Sequence, residues 1–266
     1  MECIQVLERH FPHVKHRGDV AADTPEEVQQ AIQSLDPAGR AIVLLSGGPP
    51  CPDFSGIADS ACGREGQEGH KFVVFSEFVK RLEKLLRPRD FLLLVENVVM
   101  QNPADTQYFT DALQAQPILV DPADFTIISR PRLFWTRVRW CDISKRPMTG
   151  KTLKWQKVRK LPKLCLELPA TRASDIQTNG LRFHDKVISG AVKLPCLTTP
   201  APTEAGRPPP RKMKGKLLSE VKQRWLQDQR CYAPWHYTET AMMVKDSGEL
   251  CTLPVAVKEQ IGRAHV

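Results

Sequence analysis

Ala41-Ile42-Val43-Leu44-Leu45-Ser46-Gly47-Gly48-Pro49-Pro50-Cys51-Pro52-Asp53-Phe54-Ser55 is the stretch on which the fold turns. A short apolar run, rich in branched residues and closed by Gly and Pro, reads as a buried strand. The Gly-Pro-rich part that follows then forms a loop at the C-terminal end of that strand, where open α/β sheets bind their ligands. Pro49 and Pro50 stiffen it, because each fixes its own φ and restricts the residue before it. A thiol on such a turn is placed to act as a nucleophile. A buried structural cysteine is the plainer reading of Cys51 taken alone. What lies downstream decides between the two.

Working outward, Phe72, Phe75, Phe78/Val79, Leu82 and Leu85/Leu86 recur at helical spacing until Pro88. Phe91-Leu92-Leu93-Leu94-Val95 reads as a second buried strand, running into Glu96-Asn97-Val98. A helix is expected over about 104–115, a strand near Ile118–Val120 and another over Arg132–Val138. Upstream, Thr24-Pro25-Glu26-Glu27 has the form of an N-cap, a first-turn proline and first-turn acids, opening a helix to about Leu35 that Pro37-Ala38-Gly39 ends. Residues 1–20 open with apolar positions at Ile4, Val6, Leu7 and Phe11. Strands alternating with helices predict a parallel α/β sheet covered on both faces. The core is expected over 1–140. A basic, Pro-containing, loop-rich lobe follows over 141–190, and 191–266 returns to the core through Leu194–Pro200, weak helical character over 217–227 and a short helix ending near Gly262.

At 266 residues with 41% hydrophobic and 26% charged composition, the chain suits one globular domain with a smaller lobe. It has no apolar run of membrane-spanning length and no signal-peptide pattern. Eight cysteines without a Cys-x-x-Cys pair fit neither a zinc site nor a disulfide framework, so reduced thiols and no metal are expected; Cys231 and His236 make at most half a metal site. The net charge of +8 is unevenly spread. Between Cys141 and Leu166 eight Lys/Arg (including Lys151, Lys154, Lys157, Arg159 and Lys160) surround Trp155 with one acid, Asp142. A second cluster runs from Arg207 to Lys216. Such runs are commonly solvated loops; flanking a candidate catalytic core they point to phosphate contacts.

Chemistry gathers at the strand ends. Cys51 follows the first strand and Glu96-Asn97 closes the second, while Ser129-Arg130-Pro131-Arg132 presents two guanidinium groups on alternate residues of an extended stretch. A nucleophile, a proton donor and an anion or carbonyl clamp at one rim of a sheet are the parts that addition to a nucleobase carbon requires.

These residues resemble the cytosine-5 DNA methyltransferase family. Gly-Pro-Pro-Cys at 48–51 is similar to its Pro-Cys motif and Glu96-Asn97-Val98 to its Glu-Asn-Val motif. Ser129-Arg130-Pro131-Arg132 is similar to the later part of its Gln-x-Arg-x-Arg motif, with Ile128 where Gln is usual, and Leu-Thr-Thr at 197–199 to its late Leu-Thr segment. The wording is closest to the animal de novo branch; the match covers about residues 10–140 well and 190–262 loosely.

The resemblance implies a Rossmann-like S-adenosylmethionine-dependent methyltransferase sheet with a small, loop-rich target-recognition lobe. It assigns Cys51 to addition at cytosine C6, Glu96 to N3 and the exocyclic amine, Arg132 with Arg130 to O2, and the Pro50 carbonyl to the amine, with Asn97 in the same catalytic set. Asp19, in Gly18-Asp19-Val20, stands where the family contacts the cofactor's adenine, with Val20 and Pro49 beside the cofactor. Ser55 and the Lys/Arg of the basic lobe are the expected nucleic-acid contacts, to a duplex whose cytosine is flipped out. Duplex DNA, a homologous methyltransferase subunit as a further partner, and a nuclear location follow from the same resemblance. The family's first Gly-rich cofactor turn and its final Asn-containing motif have no counterpart here, so the first βα unit is expected to be missing and the chain to be a fragment. The alternatives are the related transfer-RNA cytosine-5 enzyme, whose Cys-Phe-Thr signature is not seen, and a non-catalytic DNA-binding or regulatory homologue.

Overall fold

The computed structural model describes residues 2–55, 61–137, 153–158, 161–166, 170–197, 200, 206 and 218–263. Within them Thr24 does what its surroundings dictate. It caps α2 (Pro25–Leu35) with a reciprocal pair: the Glu27 N–H donates to the Thr24 hydroxyl at 3.2 Å, and the Thr24 N–H donates to the Glu27 carboxylate at 3.1 Å. Thr24→Ala is expected to lower stability by about 1 kcal/mol, read as a shift of the urea midpoint at unchanged slope. Upstream, α1 (Glu2–His10) leaves Val6 and Leu7 exposed, as is Phe11 just beyond it.

The aromatic periodicity around Phe72 becomes α3 (Gln67–Leu86), whose Phe72, Val79, Leu82 and Leu86 are buried. The next expected helix is α4 (Pro103–Leu113), ended by Gln114 in the left-handed region at φ 48°. Both pack on one face of a six-stranded sheet built from β1 (Val43–Gly47), β2 (Phe91–Val98), β3 (Pro117–Val120), β4 (Arg132–Thr136), β5 (Leu153–Val158) and β6 (Leu161–Leu166), in the order β1-β2-β4-β3-β6-β5. Phe72, Phe109, Leu93, Val95, Leu133 and Trp135 form the core between them.

β1, β2, β3 and β6 run one way and β4 and β5 the other. The expected all-parallel sheet is thus corrected to a mixed one. The reason is the β3–β4 connection: residues 121–131 carry a single 3-10 turn, Pro122–Asp124, and no crossover helix, so the chain returns antiparallel and pairs Ile118 with Phe134. Helices cover the second face only in part. α7 (Val255–Arg263) lines a cavity over β3 and β4, whereas over β1 and β2 the flanking Ile42 and the strand residues Leu44, Leu92 and Leu94 stay exposed, Leu44 at 63%.

Two further findings bear on the expected domain picture. The basic lobe is not separate over its described part: β5 and β6 form a hairpin that extends the main sheet, pairing Leu119 with Lys163, and the Lys163 ammonium meets Asp124 at 2.5 Å. The C-terminal part returns onto the core: Phe183, Val187, Leu194, Met243, Leu253, Val257 and Ile261 pack with Ile127 and Ile128 in a second apolar cluster, beside a small sheet of β7 (Arg182–Phe183), β8 (Met243–Val244) and β9 (Leu250–Cys251). Two short helices, α5 (Asp185–Ile188) and α6 (Ser219–Gln227), lie between β7 and β8 in sequence. Beside α6 the Tyr237 hydroxyl, in a third small cluster, donates to Asp228 at 2.6 Å; burial first, and then Asp228, pushes its pKa up.

Candidate active site

β1 delivers the chain to Gly47 and Gly48; at Gly47 the Phe75 ring leaves no room for a side chain, whereas Gly48 sits at ordinary contact distance from Glu96. A Cβ on Gly47 would lie 2.6 Å from the Phe75 ring, and one on Gly48 would lie 3.4 Å from Oε2 of Glu96. The loop beyond is held from the neighbouring strand. The Asn97 side-chain amide donates to the Pro49 carbonyl at 3.1 Å, and its Oδ1 accepts from the Val98 N–H at 2.8 Å. Asn97, expected in the catalytic set, is 1% exposed and holds the loop from inside the protein.

Beyond the clamp, Cys51 begins a 3-10 turn (Pro52–Phe54), and its carbonyl accepts from the N–H groups of Phe54 and Ser55. The Cys51 thiol is half-buried and in no disulfide, as are those of Cys196, Cys231 and Cys251. Phe54 is fully buried, edge-on to Phe72 and Phe109. Pro50 therefore lies between a clamped residue and the turn that presents the thiol. The expected nucleic-acid contact Ser55 is also part of that turn.

Glu96 sits one residue before the clamp on β2. Its Oε1 pairs with Nε of Arg132 at 2.8 Å, while Oε2 faces Gly48 and the Cys51 loop. The two oxygens of one carboxylate thus face two different parts of the site. Arg132 starts β4 opposite Val98, so the Glu96–Arg132 pair spans adjacent strands. Arg130 is presented differently. Asp121, at the end of β3, accepts from the Arg130 N–H at 2.8 Å and from the Ser129 hydroxyl at 3.0 Å. This fixes the backbone and leaves the Arg130 side chain exposed, with no ion pair among the described residues.

Ile128, where the resemblance has glutamine, is buried in the C-terminal cluster. It bridges Leu194, whose carbonyl accepts from the Ser129 N–H at 2.9 Å. An apolar side chain there docks the arginine segment onto the returning chain.

Glu96, Arg130 and Arg132 open onto one cavity of about 640 Å³, walled by Val120, Phe134, Leu197 and residues of α7. Cys51 is not in its wall; the loop reaches this side through Gly48. The sequence reading missed Asp121, which organises the Arg130 backbone, and Lys258, whose ammonium lies 3.5 Å from the centre of the Tyr232 ring at the same cavity. An Asp-Pro after a strand is a turn signal that points to Asp121. Nothing local joins Lys258 to Tyr232.

Other expectations fare differently. Asp19 and Val20 are exposed, and the Asp19 carboxylate accepts from the Ala21 N–H at 2.9 Å. Neither lines the cavity beside Glu96. Pro49 does not line it either. Lys151, Arg159, Lys160, Thr198, Thr199 and the 207–216 cluster lie outside the described residues, as do the side chains of Lys154 and Lys157. His236 is buried against Tyr232 and Trp235, and among the described residues no group of three ligating side chains is arranged for a metal ion. No described helix is long and apolar enough to cross a membrane. No family model matches the chain.

The chemistry open to this arrangement is nucleophilic. A thiol is held on a turn fixed at both ends, one carboxylate oxygen lies near Gly48 of the same loop, and two arginines open onto the adjoining cavity.

Proposed function

We propose that this chain captures a flipped-out cytosine of duplex DNA through Cys51, the activating half of a cytosine-5 methyl transfer. The observation that carries the reading is the Glu96–Arg132 pair at 2.8 Å, with the second Glu96 oxygen turned toward the Cys51 loop. The Cys51 thiolate forms a bond to C6, and the electron pair of the C5–C6 double bond moves to C5. Glu96 hydrogen-bonds N3 and relays to it the proton that the Cys51 thiol gives up, and Arg132 hydrogen-bonds O2, so that charge developing on the ring is neutralised where it forms. The Pro50 carbonyl accepts from the exocyclic amine. Protonation at C5, loss of a C5 proton and departure of Cys51 complete a reversible cycle that exchanges the C5 hydrogen with water.

The resemblance names S-adenosylmethionine as the methyl donor. Asp19 and Val20, both exposed, are the residues of this chain that would meet its adenine, with Pro49 beside it. The exposed apolar residues Ile42, Leu44, Leu92 and Leu94 beside edge strand β1 support the reading that a further βα unit completes such a site. Cys51 lies outside the cavity that Glu96, Arg130 and Arg132 share, which favours, as a second reading, a DNA-binding homologue without catalysis.

Release of tritium from [5-³H]cytosine in duplex DNA, without any methyl donor, tests the proposal. Release that unlabelled duplex suppresses better than transfer RNA supports it, and the reverse order favours the RNA enzyme. DNA binding without release, even at high protein concentration, leaves the non-catalytic homologue.

Arg130 supplies a separate prediction. Its unpaired, exposed guanidinium is the described cation best placed for a phosphate, so Arg130→Ala is expected to weaken duplex binding and flatten the slope of log K against log salt by roughly 0.9. Fluorescence anisotropy at several salt concentrations reads both.

A further inference from the structure

The N-cap of α3 is Gly66, which has no side chain to cap it, and the helix's first N–H groups need acceptors. The acceptor comes from the loop after β1. Oδ2 of Asp53, two residues beyond Cys51, accepts from the N–H groups of both Glu68 and Gly69, at 2.8 and 2.9 Å. A carboxylate at this end of a 20-residue helix also meets the positive end of its dipole.

The room for it is built in. A Cβ on Gly66 would lie 2.2 Å from that same Oδ2, although Gly66 has φ −75°, a backbone that alanine adopts freely. Glycine at 66 therefore serves the Asp53 carboxylate and not the backbone. The next residue, Phe54, is buried edge-on to Phe72, one turn further along α3. Between the Asn97 clamp on Pro49 and this double attachment at Asp53 and Phe54, Cys51 has little freedom left.

We propose that Asp53 is the positioning residue of the Cys51 thiol, tying the nucleophile's loop to the first turn of α3. The inference rests on Cys51 being the reacting group. Both hydrogen bonds converge on one oxygen, so an asparagine side chain can make them as well. The charge is secondary and the shared acceptor is what matters.

The test compares Asp53→Ala, Asp53→Asn, Gly66→Ala and the double variant Asp53→Ala/Gly66→Ala in the full chain. Peptide-resolved alkylation by iodoacetamide reports on the Cys51 loop, and tritium release from [5-³H]cytosine duplex reports on the reaction. Asp53→Ala and Gly66→Ala are each expected to speed Cys51 alkylation about tenfold, leave Cys196 and Cys251 unchanged, and slow tritium release by about tenfold or more through misplacement of the thiol. Asp53→Asn restores both readouts, and the double variant is no worse than either single one, because both remove the same contact. Hydrogen exchange at the Glu68 and Gly69 amides rises in step.

Unchanged Cys51 alkylation in Asp53→Ala, with those two amides deprotected, overturns the proposal. So does an Asp53→Asn variant as impaired as Asp53→Ala. Should Asp53→Ala not fold, Gly66→Ala against Asp53→Asn makes the same comparison with the 53 side chain kept. The alkylation pattern without tritium release by the wild type separates the two ideas: the assigned reaction fails, and the positioning of the thiol stands.

Discussion

Cys51→Ala is expected to bring tritium release from [5-³H]cytosine duplex down to the solvent background, a loss of about four orders of magnitude or more relative to the wild-type chain. The size follows from the role. In the proposed reaction Glu96 and Arg132 would stabilise charge that exists only after a nucleophile has added to C6, so without the thiol they would have nothing to act on. Removing one member of a unit that acts together costs nearly as much as removing all of it. Alanine at 51 leaves the Asn97–Pro49 clamp and the buried Phe54 in place, so folding and duplex affinity should stay close to wild type. Cys251→Ala serves as the control, since that thiol lies on β9, in the C-terminal part of the chain. Equal tritium release from Cys51→Ala and wild type would remove the nucleophile assignment outright.

The largest effect on stability is expected at Phe72. Its ring is fully buried, stacked on Phe109 with centroids 3.7 Å apart and planes at 7°, and edge-on to Phe54 and Trp135 at 6.0 and 5.8 Å. Phe72→Ala deletes a side chain that touches α4, β4 and the Cys51 turn together. The hole it leaves is walled by rings that cannot fold in to fill it. A cost of about 3–5 kcal/mol follows, a large share of the 5–15 kcal/mol by which domains are typically stable. Urea unfolding followed by tryptophan fluorescence measures it, and a cost under about 1 kcal/mol would show that the aromatic cluster relaxes freely. Because Phe54 leans on Phe72, Cys51 alkylation should quicken in this variant before unfolding begins.

The strands that carry Cys51 and Glu96 were legible because each is a short apolar run closed by punctuating residues, and burial on a sheet demands that pattern. α2 was legible because Thr24, Pro25 and Glu27 satisfy the orphan N–H groups of a helix start from within four residues. Pattern of this kind determines where strands and helices lie, and so which residues reach the strand ends. It does not determine strand direction, which is why β4 emerged antiparallel, set by a connection without a crossover helix. Nor does it show what Asn97 holds: Asn97 adjoins Glu96 in sequence, yet side chains alternate across a strand, and this one turns inward to Pro49. The sequence by itself determined an α/β protein with Cys51, Glu96, Arg130 and Arg132 near strand ends. Only the tertiary structure decided that Glu96 divides its oxygens between Arg132 and the Cys51 loop, that Asp53 caps a helix 15 residues away, and that the basic hairpin joins the main sheet. Those contacts join segments far apart in the chain, and their geometry is set by how the sheet and helices pack, which no local spacing encodes.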